Sequence, residues 1–423
     1  MSAREHLHAD LDMVSVFGPL RAEVVARLPE SLARHLAAPV GAGLRRARRR
    51  PGSWSRLSAA EARRRAADAV VTGPVDLQPA ALALAAFEGG YAGLPIRIVT
   101  SGLLVAIVMP HDLFDGVDAS AHVARILVDA SGAQAGPEPR PLDRLPVWNT
   151  ARAAGLVDRE GFRAASRARQ EAEATTECPP QLPHGVGVDA EHRSRGLTSI
   201  VLEAHEVARI HRTVSSLDAS ASPAGRSTSG MRLVSLVLEA VREATPATVD
   251  HRIRMQIDLR RYGRRGFRIE GPFSTNYPVG TLRTGDSSAA GLTASVARAV
   301  TSKGPLQALL GNLKGSVALR TRHPLLSRQP LTGVAARTTV DLNVSVLPSG
   351  LPAEAWAPDG VRVNAAMPLH RLFPADPYVQ IAELGDRVVV ALWDEVGAVD
   401  GPAFEAALRR AVDTRVERRT SLT

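Results

Sequence analysis

The sequence is poor in several residue types, and each scarcity narrows its chemistry. Cys178 is the only cysteine among 423 residues, so an intramolecular disulfide and a multi-cysteine metal site are both excluded. Aromatic residues make up 4% of the chain, and Trp54 alone lies in its most basic segment, which disfavours stacking on single-stranded nucleic acid. No apolar run approaches the ~20 residues that cross a bilayer, and the N-terminus lacks a signal-peptide pattern. We therefore expect a cytoplasmic protein with no membrane span and no nucleic-acid partner.

Lysine is also scarce, because arginine carries nearly all of the positive charge. Lys303 and Lys314 are the only two lysines, and this usage in an alanine-rich chain indicates a high-GC bacterial source. The formal net charge is +9, of which residues 45–65 contribute +8, with nine arginines against Glu61. A solvated helix face is the simplest interpretation of this segment. Such charge would attract an acidic partner, which could be a carrier protein, a nucleic acid or a phosphorylated cofactor.

Composition and periodicity indicate a folded α/β protein. Hydrophobic residues make up 45% and charged residues 22% of the chain, which is ordinary for a globular protein. Residues 96–100 and 103–109 predict a strand pair across a Ser-Gly turn, and a helix is expected at about 117–129. Alternating apolar residues predict further strands at 253–259 and 340–346. A terminal hairpin at 378–393 and a closing helix are also predicted.

Proline-rich and polar residues separate two halves of the sequence. This segment begins near residue 136 and continues to about 195, and we interpret it as a linker or crossover. The expected domains are therefore an N-terminal lobe of residues 1–180 and a C-terminal lobe of residues 196–423.

The most informative pattern is H-x-x-x-D-G, formed by His111, Asp115 and Gly116 where a buried strand ends and a helix begins. From this composition a chance match is expected roughly 0.05 times. A histidine with an ordinary pKa near ~6.5 accepts a proton from an alcohol or amine near neutral pH. An aspartate four residues later can hold the turn through an ion pair, and glycine permits close backbone approach.

This motif resembles the signature shared by chloramphenicol acetyltransferases, nonribosomal-peptide condensation domains, wax-ester synthases and plant BAHD acyltransferases. Arg260, after an alternating strand, is similar to a characteristic strand-end arginine of the family. Residues 271–276 resemble its G-x-F-x-N segment, with Asn276 one place late. The likeness covers about residues 90–415, although only the six-residue motif is sharp. Pro110 stands where many condensation domains have a second histidine, and residues 340–344 replace the BAHD D-F-G-W-G segment.

The resemblance implies two chloramphenicol-acetyltransferase-like lobes, each a mixed sheet flanked by helices, arranged as a V around a central channel. His111 would deprotonate a small-molecule alcohol or amine, which would attack the thioester of an acyl-CoA or an acyl carrier protein. Backbone amides near Gly116 would stabilise the oxyanion, and Asp115 would form a structural ion pair with Arg260. The candidate substrate-binding residues are Asn276, Asn343 and Ser345.

No metal and no bound cofactor are implied, because CoA or phosphopantetheine thioesters are co-substrates. The resulting hypothesis is an acyltransferase that forms an ester or amide in specialised metabolism. Two alternatives remain open: a catalytically silent module that binds a carrier protein, and the same fold used for a non-acyl reaction such as cyclisation. His111 and Asp112 also match a phosphohydrolase metal pair, but the further ligands that such a site needs are not evident.

Overall fold

The computed structural model describes residues 11–50, 53–91, 93–133, 141, 143, 145–176, 196–218, 229–247, 249–263, 266–269, 273–311, 341–348, 353–358, 360–370 and 376–420. Several positions named from the sequence lie outside these ranges: Cys178, Gly271, Pro272, Lys314, residue 340, and residues 136–140 and 177–195 of the expected linker or crossover. The fold is mixed α/β, as predicted. The V-shaped arrangement of two lobes around a channel stays a prediction.

Five strands form the first sheet. In spatial order they are β11 (Val363–His370), β1 (Leu11–Gly18), β6 (Leu104–Pro110), β5 (Arg97–Ser101) and β4 (Val70–Thr72). β4 runs parallel to β5, and the other neighbours are antiparallel. The predicted hairpin of β5 and β6 is confirmed, with Gly102 in the left-handed turn conformation at φ +55°.

Helices cover both faces of the first sheet. α1 (Ala22–Ala37) and α4 (Gly116–Ser131) share one apolar core with the sheet, and α3 (Pro79–Glu88) packs against the other face. α1 follows the helical period, because every fourth residue from Val24 to Leu36 is fully buried. α4 confirms the helix predicted after the H-x-x-x-D-G motif.

The arginine-rich segment, residues 45–65, is only partly helical. It forms a two-stranded hairpin of β2 (Arg46–Arg50) and β3 (Ser53–Arg56), followed by the short helix α2 (Ala59–Arg64). The charge pattern of this segment predicted a solvated helix face. That prediction is wrong for the first half of the segment, which forms strands. Arginine has no strong preference against a strand, and the Pro-Gly pair at 51–52 supplies a turn signal.

Six strands form the second sheet. In spatial order they are β7 (Gly196–Leu202), β13 (Arg387–Asp394), β12 (Tyr378–Leu384), β10 (Asp341–Pro348), β8 (Arg252–Asp258) and β9 (Ser274–Thr281). β10 runs parallel to both neighbours, and the other pairs are antiparallel. Three helices pack on one face around Phe404 and Leu408: α7 (Ala204–Asp218), α8 (Ser229–Ala244) and α10 (Gly401–Thr420). α9 (Ala289–Ser302) contributes Leu292 to the same core.

Contacts cross the expected division into residues 1–180 and 196–423 in both directions. β11 belongs to the first sheet, although it lies late in the chain. The described part of the segment expected to be a linker or crossover contains α5 (Pro146–Ala153) and α6 (Arg159–Thr175), which pack with Ile257 and Leu259 of the second half. The two-lobe boundaries therefore stay a prediction. Within the described ranges, no helix is both long and apolar enough to cross a membrane.

Candidate active site

His111 is the first residue after β6, and the backbone around it is fixed. Its amide donates a hydrogen bond to the carbonyl of Leu11 at 2.9 Å, which extends the pairing of β6 with β1. The amides of Leu113 and Phe114 both donate to the carbonyl of Pro110 at 3.1 Å. A central strand of a sheet and a closed turn thus hold the histidine from both sides.

His111 is a half-buried residue, and its Nδ1 atom is buried. Burial lowers its pKa below the ordinary 6.5, while the nearby carboxylates of Asp115 and Asp12 act in the opposite direction. The net effect keeps the imidazole neutral near pH 7. A neutral histidine that solvent or substrate can reach has the protonation state of a general base.

Asp115 is the N-cap of α4 and has no exposed surface. Its Oδ1 accepts hydrogen bonds from the amide of Asp118 at 2.9 Å and from Arg260 Nη2 at 3.0 Å. Its Oδ2 accepts from Arg260 Nη1 at 2.8 Å and from the amide of Phe273 at 2.8 Å. Four donors fill the accepting capacity of one carboxylate. Asp115 therefore fixes the turn after His111 instead of presenting an oxygen to a substrate.

The charges and hydrogen bonds between Asp115 and Arg260 keep both side chains ionised. Burial alone would raise the Asp115 pKa, but the Arg260 charge and the four hydrogen bonds outweigh it and hold that pKa below its ordinary value. Burial would lower the Arg260 pKa, and Asp115 and Asp258 reverse the effect and raise it. Arg260 also donates from Nε to the carbonyl of Ile269 at 3.0 Å. The pair joins the turn after β6 to the segment after β8.

Two polar contacts beside His111 were not anticipated from the sequence. Trp54 Nε1, on β3 of the arginine-rich hairpin, donates to Oδ2 of the buried Asp112 at 2.9 Å. Tyr91 donates through its hydroxyl to Oδ1 of the buried Asp12 at 2.7 Å. The Trp54 and Tyr91 rings meet edge to face, with centroids 6.1 Å apart. Local sequence patterns give no signal for these contacts, because they join positions 58 and 79 residues apart.

Gly116 is buried and opens α4, directly after Asp115. The first amides of a helix have no intrahelical acceptor and lie at the positive end of the helix dipole. The Asp118 amide is occupied by Asp115. Gly116 and Val117 supply the other amides of this first turn, and their role as oxyanion donors stays a prediction.

The three candidate substrate-binding residues separate into a pair and a single residue. Asn276 on β9 donates from Nδ2 to Asn343 Oδ1 on β10 at 3.1 Å, and Asn276 is exposed. Ser345 is buried and accepts a 2.8 Å hydrogen bond from the Tyr378 hydroxyl. Burial raises the pKa of Tyr378 to about 12, so this phenol stays protonated and donates. Ser345 thus has an internal partner, whereas the two asparagines lie at the sheet surface.

No group of three or more histidine, cysteine or acidic residues with metal-site geometry occurs among the described residues.

Sequence-level comparisons find nothing: no family model matches the chain, and no curated protein matches it. Solved structures do match. A structure of condensation-domain-mediated chain release from the enacyloxin polyketide synthase has 17% identity and a TM-score of 0.51, covering 97% of this chain and 78% of that one. The epimerization domain from the third module of tyrocidine synthetase B has 13% identity and a TM-score of 0.52, covering 99% and 94%.

A third similar structure is TRI3 trichothecene 15-O-acetyltransferase from Fusarium sporotrichioides. It has 12% identity and a TM-score of 0.53, and the match covers 98% of this chain and 93% of that one. At these identities the comparisons establish the fold. The chain has the fold of these condensation, epimerization and acetyltransferase structures, and the fold that the resemblance implied is confirmed.

Proposed function

We propose that the protein is an acyltransferase, which forms an ester or an amide from a thioester donor and an alcohol or amine acceptor. The observation that carries the proposal is the placement of His111. It lies at the end of a central strand, and the ion pair of Asp115 with Arg260 locks the turn that follows it.

The reaction needs one base and one group that stabilises an oxyanion. Neutral His111 takes the proton of the acceptor hydroxyl or amine as its oxygen or nitrogen attacks the thioester carbonyl carbon. The carbonyl oxygen becomes negative, and the amides of Gly116 and Val117 are its candidate donors. A donor of this kind contributes about 2.7–4 kcal/mol in a characterised enzyme. The carbon–sulfur bond then breaks, and protonated His111 returns the proton to the thiolate that leaves.

Asp115 and Arg260 act as positioning residues in this scheme. All four accepting positions of the carboxylate are used by Arg260 and two backbone amides. Asp115 therefore contributes through geometry and through its charge, which raises the His111 pKa against the effect of burial.

The donor is a thioester of CoA or of a carrier-protein phosphopantetheine, used as a co-substrate. The names of the similar structures support this class, because they include a condensation domain of a polyketide synthase and an O-acetyltransferase. The acceptor is a small alcohol or amine, and the setting is specialised metabolism. An epimerization domain with the same fold shows that the fold alone does not choose the reaction. A non-acyl reaction or a binding-only module is therefore an explicit outcome of the test.

The test is acceptor-dependent thiol release. Purified wild type, His111→Ala and His205→Ala would be incubated with acyl-CoA and acyl-carrier donors plus pooled alcohols and amines. His205 is an exposed histidine on α7 and serves as the matched control. Mass spectrometry would identify new acylated products.

We expect thiol release with an acceptor in wild type and His205→Ala, and its collapse by a factor of about 10² or more in His111→Ala, as for loss of a general base. Donor binding without turnover would point to the binding-only module. Turnover that His111→Ala leaves unchanged would overturn the assigned base.

A further inference from the structure

The arginine-rich hairpin is attached beside His111. In its ladder, Arg46 pairs with Arg56 and Arg48 pairs with Trp54. Trp54 in turn donates to Asp112, the residue next to His111 in the chain. The charge of the arginine-rich segment is therefore held close to the proposed catalytic base.

Three arginines of the segment are exposed to solvent. Arg56 at the end of β3 and Arg63 and Arg64 on α2 are exposed. Arg65 differs, because it bonds Glu61 at 2.6 Å and the carbonyl of Gly93 at 3.2 Å. The only acid of the segment is thus already engaged by an arginine, and the local charge stays strongly positive.

Exposed arginines attract an anionic partner, and this attraction raises the rate of encounter.

The extent of the segment indicates the kind of anion. Arg56 lies at the end of β3, and Arg63 and Arg64 lie on α2, so the exposed cations belong to two separate elements. A single nucleotide is held by a few converging cations, whereas cations on two elements match an extended acidic protein surface.

We propose that the exposed arginines of this segment dock an acidic carrier protein, which delivers an acyl-phosphopantetheine thioester to His111. The inference rests on the proposed acyltransferase function and adds the partner class and its contact surface. Docking here places the thioester arm near the base, because Trp54 joins the docking segment to the turn that carries His111.

The experiment compares three donors and two charge-matched variants. The donors are an acidic acyl carrier protein of a bacterial fatty-acid synthase loaded with an acyl group, the same acyl-CoA, and the uncharged S-acyl-pantetheine. The docking variant combines Arg56→Ala, Arg63→Ala and Arg64→Ala. The control variant combines Arg159→Ala, Arg163→Ala and Arg167→Ala, three exposed arginines of α6. Fluorescence anisotropy of labelled holo-carrier protein measures binding without turnover.

We expect the docking variant to weaken carrier binding and raise the KM for the acyl-carrier donor on the order of tenfold or more at low salt. Its turnover of S-acyl-pantetheine should match wild type, and the control variant should match wild type with every donor. Wild-type carrier binding should weaken as salt rises.

Three results would overturn the docking surface. They are equal carrier binding by the docking and control variants, an equal rise in KM for acyl-CoA, and no carrier binding by wild type at low salt. Failure of the proposed function is a separate result: wild type would turn over none of the three donors, including S-acyl-pantetheine, whatever the anisotropy shows.

Discussion

Arg260 binds both carboxylate oxygens of Asp115, at 2.8 and 3.0 Å, and so ties the turn after β6 to the segment after β8. Asp115 is fully buried, and Arg260 retains little exposure. Removing one member of such a pair leaves the other charge buried without its main partner. Replacing Asp115 or Arg260 alone should therefore lower stability markedly, and the losses from the two replacements should not add in the double variant.

We predict that Arg260→Ala and Asp115→Ala each lower the free energy of unfolding by about 3–5 kcal/mol, the range for a broken buried pair. The double variant should be no worse than either single variant. Urea unfolding of all three, together with thiol release, measures both effects. Arg410→Ala removes the exposed ion pair with Glu243 and should cost no more than about 1 kcal/mol. Fully additive losses in the double variant would count against the pairing.

Trp54 gives a second prediction, because its indole N–H is one donor to buried Asp112. Trp54→Phe keeps an aromatic ring and removes that donor, so stability should fall by about 1–3 kcal/mol. Misplacement of the turn that carries His111 should also lower kcat, on the order of tenfold to a hundredfold. Trp148→Phe is the matched control at an exposed tryptophan and should change neither quantity. Equal behaviour of the two variants, by urea unfolding and thiol release, would refute a role for the Trp54 contact.

Local patterns predicted the parts of the fold that local physics determines. The β5–β6 hairpin has two apolar runs around a Ser-Gly turn, and α4 begins at an aspartate cap with glycine behind it. β8 alternates in the sheet as it does in the sequence, whereas β10 departs from alternation at Ser345, which is buried beside Val344. Each of these elements is predicted by residues that lie close together in the sequence.

The remainder depends on contacts between distant parts of the chain. β11 joins β1 across about 350 residues, and no periodicity in either strand names its partner. α6 has a polar sequence that resembles a linker, but its Glu173 bonds Arg252 at 2.9 Å and Arg254 at 3.1 Å on β8. The carboxylate of Glu173 on α6 is thus paired with arginines of β8. For the same reason the sequence identified His111 and Asp115 but not Trp54 and Asp112 as neighbours in the site.

The lowered pKa of His111 predicts the acid limb of the rate profile. Neutral His111 is the active form, so protonation on acidification removes activity. Because burial places its pKa below 6.5, the midpoint of the acid limb of kcat/KM with S-acyl-pantetheine should lie below pH 6.5. A midpoint at or above pH 6.5 would contradict the lowered pKa. Steady-state rates across the acid limb, with unfolding followed in the same buffers, provide the measurement.

A buried histidine pair between α1 and α4 predicts the pH dependence of stability. His35 Nε2 lies 3.0 Å from His122 Nδ1, so one ring donates to the other and both are neutral. Burial, and then the Arg125 charge, lower the pKa of His35 to about 4, against a smaller opposite effect of Asp129. Burial, His35 and the Arg125 and Arg268 charges lower the pKa of His122 as well.

Below pH 6.5, the two histidines therefore bind protons in the unfolded chain and stay unprotonated in the folded chain until the pH is lower. Stability should be unaffected by this pair above pH 6.5 and should fall on acidification from 6.5 towards about 4, by up to about 1.4 kcal/mol per pH unit for each histidine. The double variant His35→Gln with His122→Asn places amide groups near the two ring nitrogens without a titrating proton, so its urea-unfolding free energy should depend less on pH in that window. His205→Ala, at an exposed position, should keep the wild-type slope. An unchanged slope in the double variant would assign the acid sensitivity to other groups. Measuring its rate profile as well separates the loss of folded protein from protonation of His111.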